Sequence, residues 1–441
     1  MMSKTRQRFF INWGTKHTYK LILTNLIFVG LILFLSMAIS SQTVSAASNC
    51  ATSGPTSAAY TVTVCFSSPT STSLSGDVPV TVTTSETGTK PRIQSMVFSL
   101  NGAYLLTDYQ SPYTFTLPTA HFVDGSYNLS AAAYLNSGFV STPASMTVSF
   151  QNGVLTPPVN HNTFNPALGT SPGSGNPLVV AAAGDGASGE ANESKATSLI
   201  ASWNPNLMLY LGDVYEKATF TEFYNWYGIN NLYSAFRTIT DPTIGNHEYT
   251  ADKNASGYFD YWNNIPNYYS FNSGGWHFIS LNANSINGQV QTKPGTAQYD
   301  WLAQDLSSNN AVCTLAYWHQ PLYNIGAEKA ATSMQQIWAL LAQYKVEVVL
   351  NGHDHDYQRW VPLDGSGNPG SNGVTEFVVG SGGHGIQAFT KSDSRVARGF
   401  DSKTSPEPLG ALRLQLTPTN AAYDFINIAG TVLDSGTIVC H

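Results

Sequence analysis

The sequence predicts two folded parts in series: a small all-β sandwich, then an α/β domain with helices covering its sheets. Three observations carry this expectation. Residues 58–150 hold short alternating stretches separated by turn dipeptides, with no helical periodicity. Residues 153–177 then shift to Pro, Gly, Asn, Ser and Thr. From Leu178 onward, apolar runs alternate with helical patterns.

Ahead of both parts, Lys4, Arg6, Arg8, Lys16 and Lys20 form a basic leader without an acid. An apolar run over residues 21–39 and the small-residue step Val44-Ser45-Ala46 follow. Together they read as a signal peptide over residues 1–46, so the mature chain is expected to be secreted or held at the cell surface. An uncleaved anchor is the alternative, because the run is almost long enough to span a bilayer. The Ser/Thr/Ala-rich segment after the cut site favours cleavage, leaving no stable membrane span.

Loss of those five basic residues leaves 15 Lys and Arg against 27 Asp and Glu, a net charge of −12. That excludes nucleic acid as the expected partner, since basic surface supplies most of such affinity. An anionic substrate would have to be held by bound cations instead. Four cysteines remain, Cys50, Cys65, Cys313 and Cys440, and an even count in an exported chain suggests disulfides. Three pairings are open. Cys50–Cys65 is the local choice, and Cys313–Cys440 would then tie the C-terminus to an internal strand.

In the first part, strands are expected at residues 60–66 (YTVTVCF), 78–82, 96–100 and 145–150. Asn101-Gly102 and Asp124-Gly125 are dipeptides of the kind that close hairpins. The segment SLNGAYLLTDYQSPYTFTL, followed by DGSYNLSAAAYLNSG, resembles bacterial immunoglobulin-like repeats. The resemblance implies a sandwich over residues 50–152 whose role is spacing or adhesion, including contact with a cell surface or matrix, and not chemistry. Residues 153–177 read as a linker, with His161 a solvated loop residue.

In the second part (residues 178–441), strands are expected at residues 178–183, 207–211, 311–318 and 346–350. Met334, Ile337, Trp338 and Leu341 recur at helical spacing, and a second helix is expected over residues 296–306 with Thr296 as N-cap. In such folds binding residues collect at the carboxyl ends of strands. Five short motifs stand there: Gly184-Asp185, Gly212-Asp213-Val214-Tyr215, Gly245-Asn246-His247-Glu248, Trp318-His319 and Gly352-His353-Asp354-His355. Each alone is weak, because a Gly-Asp is usually a turn and a His after a strand is usually structural. In succession they supply Asp, Asn and His ligands enough for two metal ions. Such a pair can clamp phosphate oxygens and turn water into hydroxide near neutral pH. Mixed oxygen and imidazole donors suit iron, manganese or zinc.

The order GD, GDxY, GNHE, WH and GHxH resembles the calcineurin-like metallophosphoesterases, and within them the purple acid phosphatases. QYDWLAQDL (residues 298–306), VEVVLNGHDHDYQR (346–359), FVVGSGGH (377–384) and the closing TVLDSGTIVCH extend the resemblance. It implies a sandwich of two mixed β-sheets flanked by helices. It implies that Asp213 bridges two metals, that Asp185 and His355 bind the first, and that Asn246, His319 and His353 bind the second. The first ion would be iron, the second zinc, manganese or another iron. His247 would stand over the substrate and protonate the leaving oxygen, a role that the tuning of imidazole also suggests. The implied reaction is hydrolysis of a small phosphate monoester by in-line attack of a metal-bridging hydroxide.

Two features depart from the family pattern. Asp185 is followed by Gly186 and Ala187, not by x-His, and Tyr215 lies two residues after Asp213, not three. Tyr215 either ligates the first metal or packs as an aromatic against the segment after it. Glu248 and Asp354 are candidates to orient neighbouring histidines, or are loop residues facing solvent. His384 reads as a turn residue in the glycine-rich loop, with reach to substrate as the alternative, and His277 as a satisfied core residue. The rival functions are a phosphodiesterase or nucleotidase on the same site, and a degenerate surface-binding protein without catalysis.

Overall fold

The computed structural model describes residues 49–56, 60–89, 91–169, 175–229, 231–285, 290–404 and 407–441. The expected signal peptide lies outside them, as do residues 170–174 of the expected linker. Among the described residues no helix is long and apolar enough to cross a membrane. Residues 45–441 form one compact unit.

The first part is a two-sheet sandwich. One sheet has the order Cys50–Ser53, Thr61–Ser68, Asp77–Thr87 and Tyr113–Pro118. The other runs Ser73–Leu74, Ala144–Phe150, Gly125–Leu135, Ile93–Leu100 and Ala103–Asp108. Period-2 alternation decides which side chains go inward: Val62, Val64, Val80 and Val82 meet Phe98, Phe115, Leu129 and Val148 in its core. Asn101-Gly102 closes a hairpin as expected. Asp124-Gly125 does not. Asp124 instead precedes a strand, and its carboxylate accepts from the backbone N–H groups of Asn152 and Gly153. The Cys50–Cys65 and Cys313–Cys440 disulfides both form.

Two sheets make the second part. A five-stranded one has the order Leu207–Tyr210, Leu178–Ala183, Gly410–Thr417, Asn420–Asn427, Val432–Val439. A seven-stranded one has the order Tyr269–Ser273, Trp276–Ser280, Cys313–Tyr317, Val348–Asn351, Thr375–Val379, Tyr357–Trp360, Val396–Phe400. Both mix parallel and antiparallel pairs. Alternation again sorts the faces. Leu315, Tyr317, Val348 and Leu350 join Val180, Leu414 and Phe425 in one core. Ala316 and Val349 point the other way, under Leu302, Leu306, Ile337, Trp338 and Leu341. Those last residues belong to helices Ala297–Ser308 and Gln335–Gln343, close to the two expected. Thr296 stands at the N-cap, but its hydroxyl donates to the carbonyls of Gln291 and Lys293, not to the helix.

Two stretches are tied to the rest of the chain more closely than their composition alone implies. The Pro/Gly-rich stretch is not a free tether: Asn160 donates to the Asp260 carbonyl, Ala167 N–H donates to Asp241, and Phe164 packs on Tyr269. Nor is the sandwich a detached spacer. Tyr104 donates to Glu222, Tyr224 to Asp77, and Asn225 exchanges two hydrogen bonds with the Thr116 backbone. Composition signalled loops correctly, but Asn and Pro also suit a segment that is fixed by side-chain hydrogen bonds at defined points.

Candidate metal centre

Parallel strands aim their carboxyl ends at one place, and the motifs follow those ends. Asp185 comes after Leu178–Ala183, Asp213 after Leu207–Tyr210, His319 after Cys313–Tyr317, and His353 and His355 after Val348–Asn351. Tyr210 ties the first two loops together. Its hydroxyl donates to the Asp213 carbonyl (2.7 Å) and accepts from Ala187 N–H (3.0 Å).

The glycine that opens each motif has a steric reason. A Cβ at Gly245 would come within 2.0 Å of Asp213 Oδ1, and one at Gly352 within 2.5 Å of Asp185 Oδ2. Asp185, Asp213 and His353 all adopt left-handed backbone, with φ of 58°, 63° and 74°. Non-glycine residues seldom do so, and such conformations concentrate at functional sites where the surroundings enforce them.

The side chains fall into two groups that share one carboxylate. In the first, the Tyr215 hydroxyl lies 2.7 Å from Asp185 Oδ1 and 2.8 Å from His355 Nε2. In the second, Asp213, His319 and His353 bring one potential ligand atom each within 4.8 Å of one another. Asp213 Oδ2 is 3.0 Å from His319 Nε2 and 3.5 Å from the Tyr215 hydroxyl, between the groups. Asn246 Oδ1 accepts from Gln320 Nε2 at 3.4 Å. The phenol of Tyr215 therefore points into the centre, and the reading of it as a mere packing aromatic does not hold.

Backbone carbonyls fix three of the imidazoles. His319 Nδ1 faces the Leu211 carbonyl at 2.8 Å, His355 Nδ1 that of Gly385 at 2.9 Å, and His247 Nδ1 that of Glu216 at 2.6 Å. A carbonyl only accepts, so each Nδ1 carries the proton and each Nε2 is left to the site. His319 Nε2 is fully buried and makes no well-aligned hydrogen bond among the described residues, although Asp213 Oδ2 lies 3.0 Å away. Buried lone pairs beside two buried carboxylates are the arrangement a cation satisfies, so the residues present fit a metal pair.

The charges reflect the crowding. Burial, with the charge of Asp213 added, pushes Asp185 up to about 7 against the pull of His319. Asp213 is held below the ordinary carboxylate value, because His319 and His247 outweigh its burial. Burial also opposes a charge on His319, yet Asp213 and Asp185 raise it to about 10. His353 and His355 fall to about 3, mainly through burial.

Around this centre the sequence reading needs correction. Glu248 orients no histidine and faces no solvent. Its buried carboxylate accepts from the N–H groups of Gly245 (2.7 Å), Val214 (3.0 Å) and Asp213 (3.3 Å), clasping two ligand loops. Asp354 is buried and accepts from Glu328 N–H. His384 is no simple turn residue: its ring stacks on Tyr215 (4.1 Å) and pairs with Glu190 (2.8 Å). Glu190, Glu216 and Gln320 went unremarked, and only their closeness to the motifs could have signalled them. His277 is satisfied in the core by Asn272 and Asp305, as expected.

Residues 190–357 match the model of the calcineurin-like phosphoesterase family. Residues 63–131 match the bacterial Ig domain model. The chain is similar, over part of its length, to proteins of Arabidopsis thaliana. Purple acid phosphatase 15 is 30% identical over 32% of this chain, and purple acid phosphatase 23 is 37% identical over 21%. The alignments span only 26% and 20% of those relatives. The fold of a purple acid phosphatase from yellow lupin (Lupinus luteus) seeds superposes with a TM-score of 0.51. It covers 86% of this chain and 79% of the lupin one, at 14% identity.

Proposed function

We propose that the chain is a secreted phosphoesterase that hydrolyses phosphate monoesters with two metal ions, in the manner of purple acid phosphatases. The observation that carries this reading is Asp213, a buried carboxylate shared by the Asp185–Tyr215–His355 group and the His319–His353 group. Asp185, Tyr215, His355 and Asp213 would hold one ion. Asn246, His319, His353 and Asp213 would hold the other. The phenolate donor suits iron in the first position, with zinc, manganese or a second iron in the second. When bound, the pair supplies Lewis acidity toward the phosphate oxygens and activation of the attacking water.

The chain's own residues supply the remaining parts. His247, partly exposed, is held by its Nδ1–H on the Glu216 carbonyl, with Nε2 3.9 Å from Asp213. That orientation leaves Nε2 to carry a proton to the leaving oxygen. Export is supported by the two disulfides, which persist in oxidising compartments.

The test is metal content and nitrophenyl phosphate hydrolysis, for the wild type beside Asp213→Asn and His353→Ala. About two metals per chain, lost together with activity in the variants, is the expected result. No metal and no turnover after reloading with iron, zinc or manganese would overturn the proposal. A bis-nitrophenyl diester assayed in parallel separates a monoesterase from a diesterase.

A further inference from the structure

The loop that leaves the metal centre after Tyr215 runs directly under the N-terminal sandwich. Glu222 organises it from within, accepting from the N–H groups of Glu216, Lys217 and Thr219 at 2.6, 3.0 and 3.0 Å. From outside, the sandwich grips the same loop. Tyr104 donates to Glu222, and Thr219 donates to the Leu105 carbonyl. Farther from the centre are the Asn225–Thr116 and Tyr224–Asp77 bonds.

One further contact differs in where it lands. Tyr109 follows the strand Ala103–Asp108, and its turn is pinned by the Asp108 carboxylate, which accepts from Gln110 and Thr114 N–H at 2.8 Å. The Tyr109 hydroxyl donates to the Glu216 carboxylate. Glu216 in turn faces two histidines at the mouth of the site. Its carbonyl takes the Nδ1 proton of His247 (2.6 Å), and its carboxylate lies 3.9 Å from His384 Nε2. The Tyr109 and His384 rings are 6.2 Å apart. The other contacts suffice to dock the sandwich. The Tyr109 contact alone ends on the residue that orients the proposed proton donor.

We propose that Tyr109 is a positioning residue for hydrolysis: through Glu216 it fixes His247 and His384 at the pocket mouth, which makes the N-terminal sandwich part of the catalytic site. This rests on the phosphoesterase reading above. The sandwich is then built into the enzyme's reaction and cannot be exchanged for an arbitrary spacer.

The discriminating readout is dependence on the leaving group. Nitrophenolate departs without much help from an acid, whereas an alkoxide needs a proton. In the full-length, metal-loaded protein, Tyr109→Phe should lower kcat for an alkyl phosphate by about tenfold and for nitrophenyl phosphate far less. KM, metal content and melting temperature should change little. Tyr224→Phe, which cuts the docking contact to Asp77 farther from the centre, should leave the ratio of the two substrates at its wild-type value. An unchanged ratio in Tyr109→Phe overturns the inference. So does an equal shift in Tyr224→Phe, which would reduce both tyrosines to docking contacts. Wild type without turnover on either substrate would overturn the phosphoesterase reading itself, whereas an active wild type with an unaltered Tyr109→Phe ratio sinks only this step.

Discussion

The Tyr215 hydroxyl stands 2.7 Å from Asp185 Oδ1, although Tyr215 is one residue closer to Asp213 than the family spacing leads one to expect. The carboxylate and phenol converge with His355 Nε2, 2.8 Å from the same hydroxyl. A ferric ion at this position would take the phenolate as ligand and produce a visible charge-transfer band. Tyr215→Phe should abolish that band while leaving zinc or manganese at the His319–His353 position. An iron-loaded wild type without colour would remove Tyr215 from the ligand set.

Glu248 offers a test of how the ligand loops are held. One carboxylate takes three backbone N–H groups, from Gly245, Val214 and Asp213, so it clamps the Asp213 loop to the Asn246 loop. Glu248→Gln keeps the size but replaces an acceptor oxygen with a donor aimed at N–H groups. Groups that orient ligands typically account for about 10–100-fold in metal affinity. A loss of that order is expected in a chelator competition, with the fold retained by circular dichroism. Affinity equal to wild type would make the clamp dispensable.

The reach and the limits of sequence reasoning follow the same division. Gly-Asp, Gly-Asn and Gly-His stood out because close backbone approach meets a polar side chain there, and only glycine leaves room beside Asp213 and Asp185. The core faces were legible through alternation, as Leu315 and Ala316 illustrate by entering opposite cores. Glu216, Glu190 and Tyr109 were not legible. Glu190 and Glu216 meet His384 from distant segments, and Tyr109 reaches Glu216 only because the sandwich docks there, relationships that no local pattern encodes. His384 was only half legible for a related reason: a Gly-Gly-His turn reads as a loop, and its stacking on Tyr215 depends on a residue far away in sequence.

The Cys313–Cys440 bridge, across a sequence separation of 127, fastens the end of the final strand to an inner strand of the seven-stranded sheet. Cross-linking so distant a pair restricts the unfolded chain strongly. Replacing both cysteines with serine should cost roughly 2–5 kcal/mol, read as a lower urea midpoint at unchanged slope. The Cys50–Cys65 pair spans only 15 residues and joins adjacent strands, so its loss should cost less. A larger effect from the short bridge would contradict the loop-entropy account.

Asp241 gives the chain a pH dependence remote from the metal ligands. It is fully buried, accepts from Ala167 N–H through Oδ1 (2.8 Å), and its Oδ2 has no hydrogen-bond partner among the described residues. Burial pushes its carboxyl up to about 8, against the bond from Ala167. The unfolded chain would release this proton near 3.8, the ordinary value. Between about pH 4 and pH 8 the folded state therefore binds more protons, and stability declines as pH rises through that window. Asp241→Asn, neutral at every pH, should remove this contribution. The variant should match wild type near pH 4 and exceed it by on the order of a few kcal/mol at pH 8. Denaturation midpoints at the two pH values measure the difference, and parallel profiles for the two proteins would mean that Asp241 is already ionised in the folded state.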